Sequence, residues 1–433
     1  MHREYSRLIL YSDLGENSIL EALANLFRDW HEERKDLETL TKHIFVQVKR
    51  ILDLATEFGF DENLWQNYLT FLLMTNENSF SLSCERIGAQ EGSVNLFAKH
   101  DFQIFWNLFH FDFSKIENDL GISCFQILSR YQALPKKEQR YHKNVSEKVQ
   151  ALSRALSAAQ DGDELFQIMT EHYRTVGVGV FGINRAFRVQ SYDHRLNFFP
   201  ISNMDRILLS DLVGYELQKK QLQYNTEAFL EGRSANNVLL YGDSGTGKSS
   251  SVKALLNEYY DRGLRMIELY KHQFQALSQV IAAIKNRNYR FIIFIDDLSF
   301  EENEVEYKFL KAVIEGGVET KPDNVLIYAT SNRRHLIRET WNDRTDMEHT
   351  GDVHRSDTIE EKLSLSSRFG VQINYGVPNH DQFREIVLEL AKRQGITIPA
   401  DVLCAKANQW ELRHGGVSGR TAQQFINYLA GEK

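Results

Sequence analysis

The sequence predicts an α/β fold: a P-loop core with a parallel sheet, a small helical C-terminal lid, and a helical N-terminal domain. Three observations predict it. Short apolar strands alternate with helices from residue 205 onward. A glycine-rich turn, Gly242-Asp-Ser-Gly-Thr-Gly247-Lys248-Ser249, follows one of those strands. The first 175 residues, by contrast, carry helical periodicity alone.

In the first half, Ile19, Leu20, Leu23, Leu26, Phe27 and Trp30 repeat at helical spacing. So do Leu37, Leu40, Ile44, Val48, Ile51 and Leu52, then Leu64, Trp65, Tyr68, Leu69 and Leu72. The aromatic stretch from Phe97 to Phe111 reads as core packing, with a docking surface as the sharper alternative. Residues 145–175 predict two more helices, the second capped by Asp163. Gly177-Val-Gly179-Val-Phe-Gly182 imitates a dinucleotide fingerprint. The helix before it and the strand-like Ala186-Phe-Arg-Val after it are the wrong context, so it reads as a turn or hairpin.

In the second half, strands are predicted at 237–241, 266–270, 291–295, 324–329 and 371–375. Helices are predicted at 250–260, 274–286 and 305–315. Phe291-Ile-Ile-Phe-Ile295 is a continuous apolar run, as suits a strand buried on both faces. Helices at 382–394, 400–410 and 420–429 then make the lid. The expected division is 1–176 helical domain, 177–204 connecting segment, 205–378 core and 379–433 lid.

The strand–turn–helix context makes the glycine-rich string a phosphate loop. Gly242, Gly245 and Gly247 let the backbone curl. The N–H groups of Asp243, Ser244, Thr246 and Ser250 and their neighbours then face phosphate oxygens at a helix N-terminus. Lys248 reaches the β- and γ-phosphates, and the Ser249 hydroxyl binds Mg²⁺. Asp296, at the end of a buried strand, is the Mg²⁺-side carboxylate. Asp297 either orients the attacking water or caps the next helix. The expected ligands are ATP and Mg²⁺.

Ala329-Thr-Ser-Asn332, Ser366-Ser-Arg368-Phe369 and Ser418-Gly-Arg420 follow these motifs in the order and spacing of AAA+ ATPases, which residues 205–433 resemble. Asp211-Leu-Val-Gly-Tyr-Glu216, Ala235–Gly242, Ile295–Glu301 and Glu361–Gly370 are similar to strings of an uncharacterised bacterial AAA+ family, a domain of unknown function. The resemblance implies sensor 1 at Asn332, an arginine finger at Arg368, sensor 2 at Arg420, and an adenine-side segment at Asp211–Tyr215. It also implies homo-oligomers, since a finger serves a neighbouring subunit. One position departs from the pattern. AAA+ chains commonly carry Asp-Glu where this one has Asp296-Asp297, so binding is better supported than fast hydrolysis. Glu301 is close in sequence, without a geometric reason to choose it.

Composition bounds the partners. The formal net charge is −8. The first 200 residues hold 22 basic and 27 acidic side chains, and the remainder 29 and 32, which disfavours nucleic acid as a partner. Cys84, Cys124 and Cys404 are far apart and odd in number, which suits a reducing cytoplasm. No apolar run is long enough to span a bilayer. Segment 341–362 carries seven acidic and three basic residues with His349 and His354, and reads as a solvated or subunit-contact loop rather than a metal site. The functional expectation is an ATPase that couples nucleotide to conformational change in a protein partner, docked through the helical half. A slow ATP-dependent switch is the alternative, and a DNA loader the third choice.

Overall fold

The computed structural model describes residues 1–15, 17–88, 90–133, 143–192, 195–202, 204–301, 304–315, 322–334, 336 and 365–431. The histidine-bearing segment 341–362 lies outside the described residues. The chain divides into two compact units, Met1–Asn184 and Arg185–Lys433.

The first unit is helical. Its principal helices are Ile19–His31, Leu37–Phe58, Leu64–Thr75, Ser79–Ile87, Val94–Phe109, Lys143–Ser157 and Gly162–Thr175. Side-chain caps set their starts: Ser18, Asp36, Asn63 and Asn78 each accept a first-turn N–H. The last of these helices is capped by Asp161, two residues before the expected Asp163; Asp161 accepts the Glu164 N–H. Most of the aromatic stretch is core. Phe102, Phe105 and Phe109 are buried, and Phe102 packs on Phe80 and Phe166, whereas Phe97 is exposed. The fully buried Asp101 carboxylate accepts the N–H groups of Ile9, Leu10 and Tyr11 and so pins the N-terminal segment.

The fingerprint imitation at 177–182 is a one-turn helix, Gly179–Ile183, rather than a hairpin. The buried Glu85 carboxylate accepts the Val178 N–H at 2.9 Å. A Cβ at Gly179 would lie 1.9 Å from Glu77 Oε1. The chain's own carboxylates fill the position that a phosphate would need.

In the second unit, seven strands form one sheet in the order β2-β1-β4-β5-β6-β3-β7. They are β1 (Ala186–Tyr192), β2 (Arg195–Pro200), β3 (Val238–Gly242), β4 (Leu264–Glu268), β5 (Arg290–Ile295), β6 (Val325–Ser331) and β7 (Val371–Tyr375). All neighbours are parallel except β1 and β2. Residues 186–200, expected to be connecting chain, therefore extend the sheet: β1 pairs with β4 and β2 closes the edge. The central strands are buried on both faces, as their unbroken apolar runs require. Lid helices His380–Arg393, Ala400–Glu411 and Gly419–Gly431 surround their own core, which includes Phe383, Val387, Ala407, Phe425 and Ile426.

Register places the functional strings together. Ile295 on β5 pairs with Ala329 on β6, Tyr241 on β3 pairs with Ser331, and Gly242 pairs with Tyr375 on β7. The ends of four strands thus meet at one edge, where side chains face a crevice at the carboxyl ends of a parallel sheet.

Candidate functional site

The phosphate loop turns out of β3 at Gly242, where φ is +133° and a Cβ would lie 2.1 Å from the Tyr375 carbonyl oxygen. Only glycine fits that approach. Gly245 and Gly247 also adopt left-handed conformations, and the helix Lys248–Tyr259 begins directly after them. Apart from Thr246, whose N–H closes a turn on Asp243, no backbone acceptor among the described residues takes the N–H groups of Ser244 to Ser250. A cradle of free N–H groups at a helix N-terminus fits a polyphosphate.

Lys248 is 6% exposed, and its ammonium lies over the loop. It donates to the carbonyl oxygens of Gly242 at 2.9 Å and Asp243 at 2.6 Å, and to Asn332 Oδ1 at 3.1 Å. Burial pushes its pKa below the usual lysine value, against the opposing pull of Asp243, Asp297 and Asp296. Gly242 and Asp243 thus serve the site through their carbonyls, while Ser244 to Ser250 line the cleft itself.

Beside the lysine, Asp296 Oδ1 accepts the Ser249 hydroxyl at 2.5 Å and the Thr330 hydroxyl at 2.6 Å. A hydroxyl and one carboxylate are the partial set that Mg²⁺ takes when phosphate oxygens and water complete its shell, so these residues fit the ion. Asp297 has φ of +52°, uncommon for a residue with a side chain. Two bonds hold it there: its N–H donates to Thr330 Oγ1 at 2.9 Å, and Asn332 Nδ2 donates to its Oδ1 at 2.8 Å. Asn332 therefore touches Lys248 with one end of its amide and Asp297 with the other.

The lid closes the cleft from the opposite side. The Arg420 N–H donates to the Gly245 carbonyl at 3.2 Å, and its guanidinium reaches Ser244 Oγ at 3.4 Å. The resulting cleft has a volume of about 820 Å³. Beyond the phosphate loop its wall includes an apolar part, with Ile207, Leu212 and Val213 from the core and Ile386 and Leu390 from the lid. Tyr215, in the expected adenine-side segment, stacks on Tyr375 at 5.0 Å and donates to the Gly376 carbonyl.

Arg368 is not brought into this group. It pairs with Glu315 at 3.0 Å on the surface and does not line the cleft of its own chain. Glu301 does not line it either; its N–H donates to Glu304. Residues absent from the sequence's site reading also line the cleft, Thr330, Arg393 and Gln423 among them. Thr330 stood inside a quoted string, two residues before Asn332. Arg393 and Gln423 are charged or polar positions on otherwise ordinary amphipathic helices, and nothing in their local pattern marks them.

A glycine-rich loop after β3, paired aspartates at the end of β5 on the far side of β6, and a helical lid on a parallel sheet define an AAA+-like P-loop fold. The chain matches the family described as "Protein of unknown function (DUF815)" over residues 183–433 and belongs to that family. It is 27% identical over 172 residues to the human ATPase family gene 2 protein homolog A, across 36% of this chain and 17% of that protein. The chain thus spans about a sixth of the relative's length. Solved structures of Thermotoga maritima RuvB are also similar. A point-mutant form of RuvB is 14% identical with a TM-score of 0.33, over 51% of this chain and 72% of that one. The RuvB Holliday junction branch migration motor is 15% identical with a TM-score of 0.31, over 51% of this chain and 72% of that one. Among the described residues, no helix is long and apolar enough to cross a membrane.

Proposed function

We propose that this protein binds Mg·ATP in the cleft between sheet and lid, hydrolyses it, and uses the resulting lid movement to act on a protein partner. The observation that carries the proposal is the convergence of Lys248, Ser249, Asp296, Asp297 and Asn332 within hydrogen-bond reach of one another beside unpaired loop N–H groups. Bound Mg²⁺, held by Ser249 and Asp296, would neutralise phosphate charge. Lys248 offsets the β- and γ-phosphate charge, and Arg420 meets it from the lid. Asn332 occupies Asp297 Oδ1; among the described residues the other oxygen has no partner, which leaves it to orient the attacking water.

Lys248→Ala tests the core of the proposal. Removing the cation should weaken ATP binding by at least about tenfold, since charged hydrogen bonds are worth ~1.5–3 kcal/mol. Unchanged affinity in a calorimetric titration would remove the proposal.

Asp297 favours a second reading. Its carboxylate is one methylene shorter than the common glutamate, and its backbone is left-handed. Both restrict where it can hold water, so a slow switch fits the same geometry. Steady-state turnover separates the readings: tight ATP binding with negligible phosphate release supports the switch. The same assay with added DNA addresses the loader, which the acidic balance of the chain disfavours. The surface position of Arg368 is compatible with homo-oligomers in which it serves a neighbouring copy.

A further inference from the structure

The apolar end of the cleft is walled by residues 205–215, a strap without regular structure apart from the turn Leu209–Asp211. Its ties run to two different bodies. On the core side, Asn257 donates to the carbonyls of Asp205 and Ile207, and Glu258 accepts the Leu209 N–H. Lys219, almost fully buried, donates to the Leu212 carbonyl at 2.7 Å and the Leu209 carbonyl at 3.4 Å. The two carbonyls between those are held by the lid. Arg393, at the end of the first lid helix, donates to Asp211 O at 2.7 Å and Ser210 O at 3.2 Å. Glu389, one turn earlier, accepts from Arg393 Nε at 3.1 Å and aims the guanidinium.

Four successive carbonyls, 209 to 212, are thus divided between a core cation and a lid cation. Lys219 stays with the strap wherever the lid goes. Arg393 cannot: lid opening separates its fork from both carbonyls. The same strap supplies Leu212 and Val213 to the apolar wall, and the same lid helix supplies Ile386 and Leu390. A flat aromatic base seated in that wall needs both surfaces at once. A planar guanidinium that spans two carbonyls fixes their separation better than a point charge would.

We propose that Arg393 is a positioning residue that ties recognition of the nucleotide base to closure of the lid. It acts through the strap and never touches phosphate. The inference rests on the Mg·ATP reading above. Its signature is selective: the base-dependent part of affinity depends on Arg393 more strongly than the phosphate-dependent part, which feels it only through the lid's Arg420.

The test compares ATP with inorganic tripolyphosphate, both with Mg²⁺, in calorimetric titrations of the wild type, Arg393→Ala and Arg393→Lys. Arg393→Ala should weaken ATP about tenfold, a factor equivalent to ~1.4 kcal/mol, and weaken tripolyphosphate clearly less. Arg393→Lys keeps the charge but not the fork, and should fall between. It also decides the matter if the alanine variant unfolds, because a clearly larger loss for ATP still supports the latch. Equal loss for both ligands means a general electrostatic or structural role and overturns the inference, as does no loss for either. If the wild type binds neither ligand, the Mg·ATP reading itself fails and this inference falls with it.

Discussion

At the end of β6 the Thr330 hydroxyl donates to Asp296 Oδ1 and accepts the Asp297 N–H, so one side chain holds the Asp296 carboxylate and the Asp297 backbone. Thr330→Val keeps the shape and removes the hydroxyl. The Asp297 N–H then loses its acceptor, at a cost of ~1–3 kcal/mol if water does not replace it. Asp296 keeps only Ser249. We expect ATP affinity to change little, turnover to fall by about tenfold or more, and half-saturation by Mg²⁺ to move to higher concentration, because the metal-side carboxylate is no longer aimed. A magnesium titration of ATPase activity in Thr330→Val and Thr330→Ser measures this; equal loss in the serine variant would discount the hydroxyl. The sequence did not mark Thr330 because its partners are 33 and 34 residues away. They meet only through the β5–β6 register, which pairs Ile295 with Ala329. Lys248 and Ser249 were picked out by the glycine-rich string, Asp296 by its place at a strand end, and Asn332 only through the AAA+ resemblance.

Elements with strong local patterns were legible too. Val371–Tyr375 matches its expected bounds, and the lid helices begin and end within two residues of theirs. β1 and β2 were not placed in the sheet, although Ala186-Phe-Arg-Val reads as strand-like. Their membership depends on pairing β1 with β4, where Arg188 also meets Glu268 at 2.8 Å, and no local pattern encodes a partner 80 residues away. The first lid helix shows the opposite case. Asn379 accepts the Gln382 N–H at 2.8 Å while Gln382 returns the bond to the Asn379 N–H at 2.9 Å, a reciprocal cap encoded entirely within four residues. Asn379→Ala should destabilise this helix by ~1 kcal/mol. In hydrogen exchange the amides of His380–Arg393 should exchange about fivefold faster, with the phosphate-loop helix Lys248–Tyr259 unaffected. Asn379→Asp should restore protection. Uniform acceleration across both helices would mean that lid and core open as one body, and the lid could not move separately with nucleotide.

At the scale of the whole molecule, the question is whether one chain completes its own site. The cleft holds the lysine, both aspartates, the asparagine and the lid arginine of a single chain. Arg368 stands apart, half-exposed and paired with Glu315, although it lies only three residues before β7. If Arg368 offsets transition-state charge, it does so in the cleft of another copy, because it does not line its own. The Glu315 pair would then be exchanged for phosphate contact on assembly. A surface ion pair of this kind is worth ~0–1 kcal/mol, a small barrier to that exchange. Arg368→Ala alone and Lys248→Ala alone should each abolish turnover. An equal mixture should regain activity, since Arg368→Ala subunits bring an intact phosphate loop and Lys248→Ala subunits bring an intact finger. With random assembly into a closed ring, about a quarter of the interfaces would be competent. Recovery should rise with protein concentration and with ATP, followed by phosphate release alongside sedimentation of the mixture. A protein that stays monomeric at high concentration with ATP, and whose Arg368→Ala form hydrolyses at the wild-type rate, would sink the trans arrangement and make the Glu315 pair the whole role of Arg368.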